Sequence, residues 1–297
     1  MMPHTNQKIT ANEVSALMCP VCGGEKLIGF EKYLGCAKGH IYDKARQGYV
    51  NLLSANQKNS KNPGDNRMMV KSRAKFLNEG YYQPISNTLN MLITNEYLKP
   101  VKDNFHIADI GCGEGYYLSN LKQHLDSHLK VKANYYGIDI SKEAIKLAAG
   151  HNKGILWCVG SAIKLPLQEK TIDIALSVFA PLYLNEYHRV LADMGRLITV
   201  TPSTLHLIEM RNILFSSITE KEKDKLVKKA EEYFTLENCL PLTFKCRIGV
   251  QEDIESLLAM TPFYFKSGGE KKAELLSLKE LTVTVDVKIS VFKKRGE

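Results

Sequence analysis

The chain has 297 residues, 44% of them apolar and seven of them cysteine, ample for a packed core in one large domain or two smaller ones. Its formal net charge is +8, of which +7 falls within residues 1–75, a localised basic front of the kind that meets a phosphate backbone. No run reaches the roughly 18–20 apolar residues of a membrane span, no signal peptide opens the chain, and the odd, scattered cysteines argue against a secreted disulfide framework, so a cytoplasmic protein is expected.

Residues 1–18 read as a flexible polar tail. Residues 19–53 read as a zinc-binding ribbon, because Cys19-Pro-Val-Cys22 is followed by Cys36-Ala-Lys-Gly-His40 in the pattern C-x2-C-x13-C-x3-H. Two ligands on one tight turn grip an ion, and a second pair completes a tetrahedron. Four protein ligands leave no open position, so the Zn2+ is expected to be structural. Lys26, Lys32, Lys38, Lys44 and Arg46 around it are suited to phosphate contacts.

Residues 54–104 form a linker and helices. The stretch 54–66 is polar and closes on the turn signal Pro63-Gly64-Asp65, and from Arg67 to Leu98 apolar residues recur at helical spacing. From residue 105 to 297 the texture changes. Short apolar runs (Phe105–Ile110, Asn134–Ile140, Ile155–Val159, Ile172–Phe179, Arg196–Thr201) alternate with helical stretches (Tyr116–Leu125, Lys142–Ala149, Tyr187–Leu191). A charged helix is expected over Glu220–Phe234, then Phe244–Val250, Gln251–Met260 and a strongly alternating strand, Leu281–Phe292. The pattern predicts an α/β fold: a mostly parallel sheet covered on both faces, with an antiparallel last strand, behind a small N-terminal zinc ribbon.

The first strand of that sheet runs into Asp109-Ile-Gly111-Cys112-Gly113-Glu114-Gly115-Tyr-Tyr. Glycines at this bend let a ligand approach the backbone, and the following helix N-terminus favours a negative group. A dinucleotide fingerprint would place its third glycine at position 116, where this chain has Tyr. S-adenosylmethionine, whose carboxylate such a loop can receive, is the expected cofactor. At the tip of the second strand, Asp139 is placed to accept both ribose hydroxyls, with Ser141 capping the next helix. After the third strand come Ser161 and Ala162. Many methyltransferases carry Asp where Ser161 stands, so backbone amides of Ser161 and Ala162 are the expected adenine contacts.

Here the sequence resembles the bacterial 23S ribosomal RNA guanine-N1-methyltransferases. The resemblance rests on the zinc pattern running into Lys44-Ala-Arg-Gln-Gly-Tyr-Val-Asn-Leu-Leu53, on Pro63-Gly-Asp65, Gly80-Tyr-Tyr-Gln-Pro84 and Asp109 to Tyr117, and on Thr201-Pro202 with His206-Leu207 and Met260-Thr-Pro-Phe263. It implies a zinc ribbon joined to a Rossmann-like class I methyltransferase domain, in a homodimer that methylates a guanine in the helix 35 hairpin of 23S rRNA, with local matches around Asp109–Tyr117 and Ser141–Ala149 favouring the 745-type target over the 748-type. It also implies that Tyr82 reaches the cofactor from the linker helices and that His206 sits near the cofactor's methionine end.

Guanine N1 carries a proton and lies in the base-pairing edge, so its methylation requires an unpaired or extruded base. Asp65 is the candidate proton acceptor, because the linker borders the expected cleft. Phe179, Tyr183 and Tyr82 are candidate stacking surfaces. Two rival readings are a methyltransferase of a protein or small metabolite, and a zinc-dependent RNA-binding protein with an inactive methyltransferase fold. The front-loaded charge weighs against the first, and the intact Gly111–Gly115 loop with Asp139 against the second.

Overall fold

A computed structural model describes residues 14–54, 64–97, 104–128, 132–216 and 225–295. Residues 1–13 of the expected tail and 55–63 of the expected linker lie outside the described residues. The front unit holds β1 (Ile28–Gly29), β2 (Tyr33–Gly35) and β3 (Ile41–Asp43), an antiparallel three-stranded sheet, and then β4 (Val50–Asn51). Two linker helices follow, α1 (Arg67–Asn78) and α2 (Gln83–Leu92). Next come β5 (Phe105–Ile110), α3 (Tyr116–His128), β6 (Ala133–Asp139), α4 (Lys142–His151), β7 (Leu156–Val159), β8 (Ile172–Val178), α5 (Leu184–Val190) and β9 (Leu191–Pro202). The remaining elements are α6 (Ile208–Leu214), α7 (Lys225–Ala230), β10 (Phe234–Ile248), α8 (Gln251–Ala259), α9 (Phe263–Lys266), α10 (Gly269–Leu276) and β11 (Leu281–Lys294).

The main sheet has eight strands in the order β10-β11-β9-β8-β5-β6-β7-β4. The strands from β4 to β9 in that order pair in parallel, whereas β11 runs antiparallel to both β9 and β10. The buried runs of β5, β7 and β8 are apolar almost throughout, as parallel strands covered on both faces must be. Strand order reverses at β5 and β8. The position beyond the carboxyl ends of these two strands is the place where open α/β sheets take their ligands.

The ribbon is built into this sheet. β4 pairs in parallel with β7, and Leu17 bridges Leu167. Met18 N donates to Pro166 O at 3.0 Å and Gln168 N to Ala16 O at 2.8 Å, so a short chain segment fills the space that a crossover helix between β7 and β8 would otherwise cover. Val14, Ala16 and Leu17 are buried with Leu27, Leu34, Val50 and Leu52 against α5 and the sheet. Residues 14–18, placed in a polar tail by the sequence, are thus core: their apolar side chains close that face.

The C-terminal part differs from expectation in one strand. Among the described residues the helix expected over 220–234 is limited to α7, and β10 extends for 15 residues where the sequence pattern predicts only Phe244–Val250. β10 is an edge strand with one neighbour, so alternate side chains face water and the apolar signal is weak. Pro241 in its middle argues against a central strand but is tolerated on an edge.

Close packing under the loop after β5 is set by Trp157, which is 1% exposed and donates its indole N–H to Asn152 O at 3.0 Å. A Cβ on Gly137 would stand 2.1 Å from its ring. Gly137→Ala is therefore expected to destabilise the protein by about 3 kcal/mol, at the upper end of overpacking costs. Gly150→Ala, which meets nothing within 4 Å in α4, should be neutral or slightly stabilising. Thermal denaturation of the two variants side by side checks this.

Candidate active site and metal centre

Cys19, Cys22, Cys36 and His40 bring one ligand atom each within 4.8 Å of one another. Cys22 Sγ and Cys36 Sγ lie 3.8 Å apart, and His40 Nδ1 lies 3.1, 3.4 and 3.8 Å from Sγ of Cys22, Cys36 and Cys19. Zinc–sulfur bonds of about 2.3 Å give a tetrahedron with edges of about 3.8 Å, so the donor set fits zinc, with Nδ1 as the imidazole ligand. Two tight turns carry the ligands: Gly23 N donates to Cys19 O and Gly39 N to Cys36 O, both at 2.9 Å. Gly23 and Gly39 take φ of 70° and 82°, a left-handed conformation that glycine adopts freely. Tyr42 Oη, 3.1 Å from Cys19 Sγ, supplies a donor to that thiolate from outside the ligand set.

At the other end of the molecule's chemistry, the loop after β5 turns through Gly111, Gly113 and Gly115 at φ of 77°, 56° and 87°. Its first amides, of Gly111 and Cys112, donate to Ile138 O at 2.8 and 3.2 Å. A Cβ on Gly111 would meet Ala180 at 2.5 Å, and one on Gly115 would meet Trp157 at 2.4 Å, so the two positions admit only glycine. Asp139 closes the loop against β6. Its Oδ2 accepts from Gly113 N at 2.9 Å and its Oδ1 from Ser141 N at 2.7 Å. Ser141 Oγ accepts from Ala144 N, the N-cap that the spacing anticipates, and donates to Asp65 O at 2.8 Å. Ser161 is buried beyond β7, its Oγ accepting from Ile163 N, with Ala162 following at the same strand end.

Burial dominates the electrostatics here. It raises the Asp109 carboxyl to about 8, helped by the charges of Asp139 and Glu114. It raises Glu114 to about 7, against the pull of Arg73. Asp139 is also pushed up by burial, but the Ser141 and Gly113 amides oppose the shift. Carboxylates crowded in this way favour a ligand with net positive charge, which a sulfonium amino acid supplies.

A group of rings stands beside the loop. Tyr82, buried at the start of α2, has its ring centroid 6.1 Å from Phe179 and 6.2 Å from His206, and Phe179 lies 5.7 Å from His206. Phe179, directly after β8, holds φ of 54° and leaves 39% of its surface exposed. A left-handed Phe costs about 1–2 kcal/mol, a strain of the kind retained where a side chain must be aimed. His206 Nδ1 accepts from Asp286 N at 3.3 Å. Burial first, and then Arg211, lower the ring to about 4 against the opposing Asp286. The ring is therefore neutral at pH 7, with its proton on Nε2. Tyr183 begins α5 outside this group, and Asp65 is engaged by Arg73.

A class I methyltransferase domain carrying a structural zinc ribbon is thereby defined, and the comparisons agree. Residues 101–261 match a family profile described as "Methyltransferase domain" and residues 17–61 one described as "RlmA, N-terminal". The chain is 30% identical over 287 residues to YxjB of Bacillus subtilis (strain 168), whose name carries a provisional 23S rRNA (guanine-N(1)-)-methyltransferase assignment; the match covers 95% of this chain and 98% of that one. It is 29% identical over 280 residues to the 23S rRNA (guanine(748)-N(1))-methyltransferase of Streptomyces fradiae, covering 92% and 96%. The chain belongs to the 23S rRNA guanine-N1-methyltransferase family, with S-adenosylmethionine as its cofactor and structural zinc in its ribbon.

Arg73, which reaches Gly113 and Glu114 of the glycine loop, is a residue that sequence reasoning missed. A single arginine in a helix already rich in basic residues carries no local signal, and only the packing of α1 brings it to Gly113.

Proposed function

We propose that this protein transfers the methyl group of S-adenosylmethionine to N1 of a guanine in the helix 35 hairpin of 23S rRNA, at the 745-type position, acting in the cytoplasm as a homodimer. The observation that carries the reading is the ring group Tyr82–Phe179–His206, set at the switch point beside a glycine loop and an acidic strand tip. A flat base extruded from a hairpin loop meets a stacking face there, next to the position of the reactive methyl. The local sequence around the glycine loop and α4 supports the 745-type target.

Asp139 and the loop amides orient the cofactor, the backbone at Ser161 and Ala162 borders its base, and Phe179 stacks the guanine. Neutral His206 offers Nε2–H as a donor without adding a cation. When bound, the cofactor supplies an electrophilic methyl group on a good leaving group, so positioning provides most of the acceleration. The ribbon, with Lys26, Lys32 and Lys38, holds RNA by its phosphates.

Incubation of 23S rRNA with the protein and methyl-labelled cofactor, followed by digestion to nucleosides, is expected to put the label in N1-methylguanosine. Label in another nucleoside, or none in rRNA, overturns the reading. Mapping the labelled position separates the 745-type from the 748-type target. Phe179→Ala should lower kcat/KM for RNA by about 10- to 100-fold, the range of one base stack, with cofactor affinity unchanged. Phe179→Tyr should keep most of the activity.

A further inference from the structure

Arg73 projects from α1, a linker helix, onto the cofactor loop of the catalytic domain. Its Nη1 lies 3.9 Å from Glu114 Oε2 and 3.3 Å from the place where a Cβ on Gly113 would stand. Its Nη2 pairs with Asp65. The backbone around Asp65 is seated firmly. Gly64, at φ 83°, has its open side 2.9 Å from Ile140, and Asp65 O accepts from Ser141 Oγ. The guanidinium is therefore held in one place, at the loop and one residue from the Asp139 contact. Glu114 is 8% exposed, and its Oε2 has no hydrogen-bond partner among the described residues; nor does the buried hydroxyl of Tyr117, three residues on.

A half-buried cation and a buried carboxylate oxygen without a hydrogen bond, 3.9 Å apart, are the complement of a zwitterion. We propose that Arg73 and Glu114 receive the amino-acid end of the cofactor, the guanidinium taking its carboxylate and Glu114 Oε2 its ammonium. The assignment rests on the methyltransferase reading of the site. Arginine suits the role because its planar fork matches a carboxylate with two parallel hydrogen bonds. Asp65 then acts as a positioning residue, aiming Arg73 from the linker.

Truncating the ligand as well as the protein provides the test. The zinc-loaded full chain is titrated calorimetrically with S-adenosylhomocysteine, which keeps the zwitterion, and with 5′-methylthioadenosine, which lacks it. Arg73→Ala is expected to weaken S-adenosylhomocysteine by about 10- to 100-fold, the range for charge-assisted hydrogen bonds, and to leave 5′-methylthioadenosine within about twofold. Arg73→Lys, which keeps charge without the fork, should fall between wild type and Arg73→Ala. Equal weakening of both ligands, or an unchanged S-adenosylhomocysteine affinity, overturns the assignment and leaves Arg73 a packing residue. Should Arg73→Ala fail to fold, Arg73→Lys and Glu114→Gln carry the same comparison: selective weakening of S-adenosylhomocysteine supports the assignment, and equal or absent weakening overturns it. A wild-type protein that binds neither ligand would instead overturn the cofactor site itself.

Discussion

Cys22→Ser is expected to abolish zinc binding and to reduce RNA methylation at least about 100-fold, while S-adenosylhomocysteine affinity should change less than about threefold. The first effect follows from size. The expected ribbon, residues 19–53, falls below the roughly 40 residues that fold without a staple, and structural zinc contributes about 10–16 kcal/mol to the folding of such modules. Without the metal, the two turns at Gly23 and Gly39 lose the bonds that tie one ligand pair to the other, and the exposed Lys26, Lys32 and Lys38 lose their fixed placement. The second effect follows from where the ribbon docks. Its contacts with the catalytic domain run through Ala16–Met18, which pair with Pro166–Gln168 after β7, and through β4 on the outer edge of β7, whereas Asp139 and the glycine loop are tied to each other and to α4. Metal analysis, methyl transfer to rRNA and cofactor titration on one preparation check all three quantities. A loss of cofactor affinity as large as the loss of methylation would make the ribbon a folding element and not an RNA holder.

Asp139→Ala gives the opposite pattern. On the proposed contact of its carboxylate with both ribose hydroxyls, cofactor affinity is expected to fall at least about 100-fold, since two charge-assisted hydrogen bonds of about 1.5–3 kcal/mol each would be lost, and the Gly113 and Ser141 amides lose their acceptor. RNA binding should stay within about twofold of wild type, because the proposed phosphate contacts belong to the ribbon lysines. Asp139→Asn keeps one acceptor oxygen and should retain part of the affinity. Calorimetry for the cofactor and a gel shift for rRNA read the two effects separately. An Asp139→Ala variant that still binds the cofactor at wild-type strength would move the ribose contact elsewhere.

These two variants divide the molecule along a line that is already visible in the sequence. The zinc ligands and the glycine loop are legible because their chemistry is local: fixed ligand spacing, and glycines where the backbone turns left-handed. β5 starts and ends where its apolar run predicts, since a strand covered on both faces advertises itself. Ser141 is legible as a cap for the same reason. Tyr82 and His206 come only through the resemblance, because a lone tyrosine or histidine has no pattern around it. The burial of residues 14–18, the full length of β10 and the reach of Arg73 are not legible. Each depends on a partner distant in sequence: the segment around Leu167, the antiparallel β11, and the loop at Gly113.

Primer extension on 23S rRNA from cells with and without this protein tests the assigned reaction most directly, because N1-methylguanine blocks reverse transcription. One stop in the helix 35 hairpin is expected that is present with the protein, disappears without it, and returns with the wild-type chain but not with Asp139→Ala. Stops that are identical in both cells would contradict the assignment.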